Sequence, residues 1–333
     1  MTTGRDFPII GVAGAGAWGT ALANAAAVAG RRVILWGRDP DAMATMAAAR
    51  TNDRHLPGVV LRPGVEPVAD LSRLAEASAV LLVTPAQTTR DLAARIAECL
   101  APATPLVLCA KGLERSSGRF LSEVVGEARP GAPLGILSGP SFAADVARGL
   151  PTAVTLGMAE EDGAAALAAA LSGPTFRVYR TADRRGVEIG GAAKNVLAIA
   201  CGAIAGLGLG ESAKAALMAR GFAELTRFAA AHGAEPQTLM GLSGLGDVVL
   251  TCSSAQSRNF AFGERLGRGA SVAEAAAGQL VEGALTAGVL AALARTRRIE
   301  MPVAEAVAGI VAGRLSLQDA IAALMNRPLR AER

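Results

Sequence analysis

The first half of the chain alternates short, unbroken apolar runs with longer Ala-rich stretches whose apolar residues recur at helical spacing. Unbroken apolar runs are what strands covered on both faces look like. The pattern predicts strands over residues 8–13, 32–36, 79–84, 106–109, 134–137, 153–156 and 176–179, and helices over 18–29, 87–100, 118–128 and 141–147. Strand-then-helix alternation points to an α/β unit with a mostly parallel sheet and crossover helices. From Asp183 onward the pattern changes to almost continuous helix, with Gly-containing breaks near 206–210, 241–246 and 267–269. Two domains are therefore expected, 1–182 with the sheet and 183–333 all-helical, joined by a helix instead of a loose linker.

One junction in this pattern carries chemistry. The run Ile9-Ile10-Gly11-Val12-Ala13 passes into Gly14-Ala15-Gly16-Ala17-Trp18-Gly19, a G-x-G-x-x-G directly after a strand and opening a helix. In a dinucleotide site Gly14 permits the tight turn, Gly16 lets backbone approach a pyrophosphate, and Gly19 lets helix and strand pack closely. The helix start then offers free N–H groups to the anion. An NAD site usually ends its second strand in an acid that holds the ribose 2′-OH. Here that strand ends Leu35-Trp36-Gly37-Arg38. Arg38 suits a 2′-phosphate, which favours NADPH, while Asp39 beside it leaves NADH open. A solvated surface cation is the plainer reading of Arg38.

Composition narrows the field. Hydrophobic residues make up 51% and charged residues 19%, but the apolar excess is mostly alanine, as in packed helices. The longest apolar run, residues 196–210, is shorter than the roughly 20 residues a bilayer span needs. Arg5 and Asp6 precede a strand-like segment in place of a secretory leader, so a cytoplasmic protein without an integral membrane segment is expected. A net charge of +4 is scattered and aromatics are only 3%, which does not support a nucleic-acid surface. Cys99, Cys109, Cys201 and Cys252 form no CxxC pair, and with only His55 and His232 beside them no metal site is expected. Ala-rich helices supply a seam for a homodimer.

Lys and Arg total 33, and only three are lysine: Lys111, Lys194 and Lys214. Where Arg is the default cation, a retained Lys is a candidate for losing a proton, which a guanidinium cannot do. Reduction of a carbonyl needs a proton donor for the developing alkoxide. His55, beside Pro57-Gly58, and His232, before Gly233, read as structural or solvated. Lys194, in Gly190-Gly191-Ala192-Ala193-Lys194-Asn195, sits among small residues that let backbone or substrate come close, and burial would depress its pKa. Asp247, ahead of an apolar run, wants a cation, and Lys194 is the candidate. Ser257-Arg258-Asn259 offers a hydroxyl, a guanidinium and an amide at a helix start, a cradle for phosphate or simply an N-cap. Ser138-Gly139-Pro140-Ser141 is likewise a turn and cap ahead of the next helix.

Seven motifs in order, GAGAWGTALA, Lys111-Gly112 after LVLCA, SGPSFAADVARGLPTAV, GGAAKNVLAIACG, GLSGLGDVVLTC, QSRNFAFG and LVEG, resemble the bacterial NAD(P)-dependent glycerol-3-phosphate dehydrogenases from about residue 8 to about 325. The resemblance implies a Rossmann-type N-terminal domain, a helical C-terminal domain and a site between them. It implies reversible reduction of dihydroxyacetone phosphate to sn-glycerol 3-phosphate, feeding phospholipid synthesis. Lys194 becomes the proton donor, with Asn195, Asp247 and Thr251 orienting it and the reacting oxygen. Substrate contacts fall on Lys111, Gly139, Ser141, Asp247, Ser257, Arg258 and Asn259. Cofactor contacts fall on Ala17, Trp18, Arg38, Lys111 and Ala143, and on Arg258, Leu280 and Glu282.

Two other classes are distinguishable. A dehydrogenase of the same architecture acting on a 3-hydroxy acid or a ketopantoate-like substrate would bind a carboxylate in place of the phosphate. A non-catalytic dinucleotide sensor would bind cofactor without turnover, and the intact Lys194, Asn195 and Asp247 argue against it.

Overall fold

The computed structural model describes residues 6–328. Arg5 and the outermost ends of both expected domains lie outside them. Eight strands form one sheet: β1 (Ile9–Ala13), β2 (Arg32–Trp36), β3 (Val65–Val68), β4 (Ala79–Leu82), β5 (Leu106–Leu108), β6 (Leu134–Ser138), β7 (Thr152–Met158) and β8 (Phe176–Thr181). Their order is β3-β2-β1-β4-β5-β6-β7-β8. The order reverses between β1 and β4, and ligands of doubly wound sheets bind outside the strand ends at such a switch point.

The strands follow from their residues. The central ones, β4 (AVLL), β5 (LVL) and β6 (LGILS), are buried along their whole length, as helices on both faces require. Edge strand β8 keeps Arg177 and Arg180 outward, which blunts a free edge. The other edge is β3, a strand the apolar pattern did not predict. Its sequence, VEPV, holds a proline, tolerated because an edge strand can leave one side unpaired. All pairings are parallel except β6 with β7, where Ile136 faces Gly157 in an antiparallel register.

Around the sheet lie α1 (Ala17–Val28), α2 (Pro40–Ala49), α3 (Thr89–Ala97), α4 (Leu121–Ala128), α5 (Ala143–Ala147) and α6 (Glu161–Leu171). The helical half holds α7 (Arg184–Gly206), α8 (Gly210–Ala231), α9 (Pro236–Met240), α10 (Asp247–Cys252), α11 (Arg258–Gly267), α12 (Val272–Ala276), α13 (Glu282–Thr296), α14 (Pro302–Val311) and α15 (Leu317–Met325). Helix α4 starts later than residue 118, and α5 starts at Ala143, capped at Phe142 and not at Ser141. The break expected at 241–246 is a π-helical turn leading straight into α10.

Helix α7 organises the second half. Asp183, two residues after β8, caps it by accepting from Gly186 N at 2.7 Å and also takes Glu235 N at 2.8 Å. Such a cap contributes about 1 kcal/mol. The helix is long and apolar enough to cross a membrane, yet 78% of its most apolar window is buried inside the protein. It packs on β6 and β7 on one side and on α8, α10, α11, α13 and α14 on the others. Glycine makes the closest crossings: a Cβ at Gly202 would overlap Phe260 O of α11, and one at Gly263 would overlap Ile199 O of α7. Glu188, buried on α7, is satisfied by Ser122 N at 2.8 Å and Ser122 Oγ at 2.7 Å, which pins α4 of the sheet half to this helix.

Candidate active site between the sheet and the helical half

The glycine turn sits at the switch point. Gly14 has φ +127°, and a Cβ there would lie 2.7 Å from Val83 O of the chain leaving β4, so the turn demands glycine. A Cβ at Gly19 would collide with Gly14 O. Gly16 faces open space and caps α1 with no side-chain acceptor, which leaves the first-turn N–H groups for an anion. Trp18 Nε1, in that first turn, is buried and has no acceptor. Ala17, Trp18 and Ala143 pack on one apolar cluster beneath the turn. Open space at Gly16 and an unpaired indole N–H are a fit for a bound dinucleotide. Arg38 is exposed and makes no ion pair or hydrogen bond among the described residues, whereas Asp39 caps α2 by accepting from Ala42 N at 3.2 Å.

Below the turn, two lysines from distant segments and a threonine of the same helix close on one carboxylate. Asp247, fully buried at the start of α10, accepts from Lys194 Nζ on Oδ1 at 2.5 Å and from Lys111 Nζ on Oδ2 at 2.7 Å. Thr251, one turn further along α10, accepts from Lys194 Nζ at 2.7 Å and donates to Asp247 Oδ1 at 3.2 Å. Lys111, in the loop after β5, also donates to Gly139 O at 3.0 Å. Gly139 has φ +154°, and a Cβ there would lie 2.8 Å from Val154 Cα. Ser141, expected as a helix cap, instead donates to Gly139 O at 3.1 Å.

Two lysines on one carboxylate leave the cluster with one net positive charge. Burial is the largest influence on Lys194 and pulls its pKa down to about 8, with Asp247 opposing and Lys111 assisting. Burial alone would push Asp247 up, but the two ammonium groups outweigh it and hold the carboxyl below its ordinary value. The contest between burial and Asp247 over the Lys194 proton goes to burial.

Asn195, the residue after Lys194 on α7, turns its amide to other partners. Its Nδ2 donates to Lys111 O at 3.1 Å, and its Oδ1 accepts from Asn259 Nδ2 at 2.9 Å. Asn259 Oδ1 in turn accepts from Gly283 N at 2.9 Å, so the amides run in a line from Lys111 to the start of α13. Ser257 is the N-cap of α11, accepting from Phe260 N at 3.2 Å, and Arg258 beside it is exposed. Leu280 lies on the surface. Glu282 reaches back to the sheet half, where Oε1 accepts from Ala86 N at 3.2 Å while its buried Oε2 has no partner. Burial raises its pKa. The Lys111–Asp247 contact, the Asn195–Asn259 pair and the Glu282–Ala86 link were not read from the sequence.

A dinucleotide turn on a doubly wound sheet, facing a buried lysine on an all-helical second half, defines a two-domain dehydrogenase architecture. The family models narrow it: NAD-dependent glycerol-3-phosphate dehydrogenase N-terminus matches residues 9–164, and the C-terminus of the same family matches 183–322. The chain belongs to this family. It is 63% identical over 324 residues to glycerol-3-phosphate dehydrogenase (NAD(P)+) of Methylobacterium radiotolerans, covering 97% of this chain and 98% of the relative. The enzyme of the same name from Azorhizobium caulinodans is 60% identical, over 98% of this chain and 99% of its own. The crystal structure of glycerol-3-phosphate dehydrogenase from Coxiella burnetii superposes with a TM-score of 0.91 at 39% identity, over 96% of this chain and 99% of that one. A ketopantoate reductase from Ralstonia eutropha, at 17% identity and TM-score 0.58, shares the fold alone.

Proposed function

We propose that this chain interconverts dihydroxyacetone phosphate and sn-glycerol 3-phosphate with NADPH or NADH. The observation that carries the reading is Lys194 Nζ, buried, held on Asp247 and Thr251, with a pKa near 8. The nicotinamide, when bound, supplies or removes the hydride. Lys194 does the complementary work, giving its proton to the alkoxide oxygen in reduction and taking it back in oxidation. A pKa near 8 keeps both states populated close to neutral pH. Asp247 and Thr251 fix the ammonium, and Asn195 holds the backbone of Lys111 in place. Lys111, Gly139 and Ser141 form the inner wall of the substrate site. Ser257, Arg258 and Asn259, at the start of α11, take the phosphate with a charge-assisted fork and the helix's first N–H groups.

Gly14, Gly16, Ala17, Trp18 and Gly19 hold the pyrophosphate side of the cofactor, with Ala143 and Lys111 beside it and Arg258, Leu280 and Glu282 on the helical side. Arg38 at the end of β2 favours NADPH. The two halves divide at about residue 182, where Asp183 begins α7. A homodimer working in the cytoplasm and feeding phospholipid synthesis completes the reading.

The test follows NADPH absorbance with dihydroxyacetone phosphate, wild type beside Lys194→Ala. Turnover in the wild type, lost in the variant with cofactor affinity kept, is the expected result. Turnover of ketopantoate or a 3-hydroxy acid in place of the phosphate substrate would overturn the substrate assignment.

A further inference from the structure

We propose that Arg54 is a second cofactor-selecting side chain, acting with Arg38 on the 2′-phosphate that distinguishes NADPH from NADH. The inference rests on reading the glycine turn as a dinucleotide site.

Two separate segments converge on Ala15, the residue between the first two glycines of that turn. One is the end of β2. A Cβ at Gly37 would lie 3.1 Å from Ala15 Cβ, so Arg38, the next residue, leaves the sheet at the rim of the turn. The other is the loop after α2. Asn52, buried, donates from Nδ2 to Ala15 O at 2.9 Å and to Thr20 Oγ1 at 2.7 Å. This loop is built, not slack. Thr51 bridges Val60, Asp53 accepts from Thr51 Oγ1 at 2.8 Å, and Arg50 grips Arg62 O at 2.6 Å and Val65 O at 2.8 Å. Arg54 lies two residues past Asn52, and its Nη1 stands 3.8 Å from Asp39 Oδ2, the residue directly after Arg38.

The charges at this rim favour a phosphate over a bare hydroxyl. An NAD site wants a free carboxylate for the ribose, but Asp39 spends Oδ1 on capping α2 and has the Arg54 cation beside Oδ2. Arg54 keeps donors to spare, because 3.8 Å is too long for a hydrogen bond and 73% of its side chain is exposed. Arg38 has no partner at all among the described residues. Arg50, the other guanidinium nearby, is spent on backbone carbonyls. His55 is held below its ordinary pKa by burial and by Arg54, so at pH 7 it adds no charge. Two exposed guanidinium forks beside one capping carboxylate make a site for a dianionic group.

Cofactor fragments test this without turnover. Adenosine 2′,5′-bisphosphate and 5′-AMP are titrated calorimetrically into the full chain, as wild type, Arg38→Ser, Arg54→Gln and Arg54→Lys. The wild type is expected to prefer the bisphosphate. Arg54→Gln should weaken the bisphosphate about five- to thirty-fold and 5′-AMP less than about two-fold, the span of one charge-assisted contact at an exposed site. Arg54→Lys, which keeps the charge and loses the fork, should fall between. If Arg38→Ser weakens the bisphosphate and Arg54→Gln does not, Arg54 is overturned and the 2′-phosphate reading stands. Equal losses for both fragments in Arg54→Gln also overturn it. A wild type that binds both fragments alike overturns the NADPH reading along with it.

Discussion

Replacing Gly283 by alanine asks how rigidly the site is held. Gly283 is the second residue of α13, and its missing side chain lets that helix lie directly on α7. A Cβ there would stand 2.5 Å from Asn195 O, 2.8 Å from the Asn195 carbonyl carbon and 2.8 Å from Asn259 Oδ1. None of these is a flexible tip: two are helix backbone, and the amide is bonded at both ends. Ordinary contact begins near 3.4 Å, so α13 must move off α7 by about 0.9 Å. The 2.9 Å bond from Gly283 N to Asn259 Oδ1 is then stretched past hydrogen-bonding range. Overpacking of this kind costs about 1–3 kcal/mol, offset by at most about 1 kcal/mol from the better helix propensity of alanine. A net loss of about 1–2 kcal/mol is expected. Because Glu282 shifts with the helix and Asn259 loses its bond to Gly283, kcat/KM should drop about ten- to a hundred-fold, the cost of misplacing groups by roughly an ångström. Thermal melts and steady-state kinetics measure both, with Gly288→Ala as the reference. Gly288 lies in the same helix with open space around it and should gain about 0.5–1 kcal/mol. If Gly283→Ala melts no lower than wild type and keeps kcat/KM within about a factor of two, the contact between α13 and α7 is soft and the reasoning fails.

Two predictions concern protons. Reduction needs Lys194 charged, so its kcat/KM should decline above about pH 8, while oxidation should rise over the same interval. Asp247→Asn removes the carboxylate that opposes burial and should carry that limb to lower pH; a limb that stays put would remove Asp247 from control of the lysine. Glu224, on α8, is buried and accepts from Val303 N at 3.0 Å, and burial pushes its carboxyl up to about 7. The folded chain therefore holds this proton more tightly than the unfolded one. Its stabilisation is complete below about pH 4.5 and lost as pH rises through about 7. Glu224→Gln should flatten the fall of Tm between about pH 5 and 8, a difference worth about 3 kcal/mol at most. Parallel curves for variant and wild type would show that Glu224 does not titrate in this range.

The sheet was legible where its strands are buried on both faces, because burial forces unbroken apolar runs. Strand β3 was not, since an edge position asks little of its residues and tolerates Pro67. Nor was the reversal of β7, because an apolar run carries no direction and the pairing is decided by the path of the chain through α5. At the site, the pairing of Lys194 with Asp247 was legible from the cost of burying a carboxylate alone, whereas Thr251 came only from the family resemblance. The second lysine on Asp247 was not, for no local pattern records a contact between residues 111 and 247. The partners of Asn195 were not read either, although their direction was open to reading. Neighbours on a helix point about 100° apart, so a residue next to Lys194 faces a different wall.

Helix α7 has a consequence for how the chain comes into being. Its apolar surface is covered on one side by the sheet and on the others by segments reaching to α14, about a hundred residues later in the chain. At roughly 5–20 residues per second, a nascent chain whose sheet half has already closed would wait several seconds with most of α7 bare. During that interval a helix with the length and greasiness of a bilayer span has no finished partner. The ribosome-bound intermediate, more than the finished protein, is then the species with a claim on chaperones. Core mutations late in the chain, in α14, should act on yield before they act on catalysis.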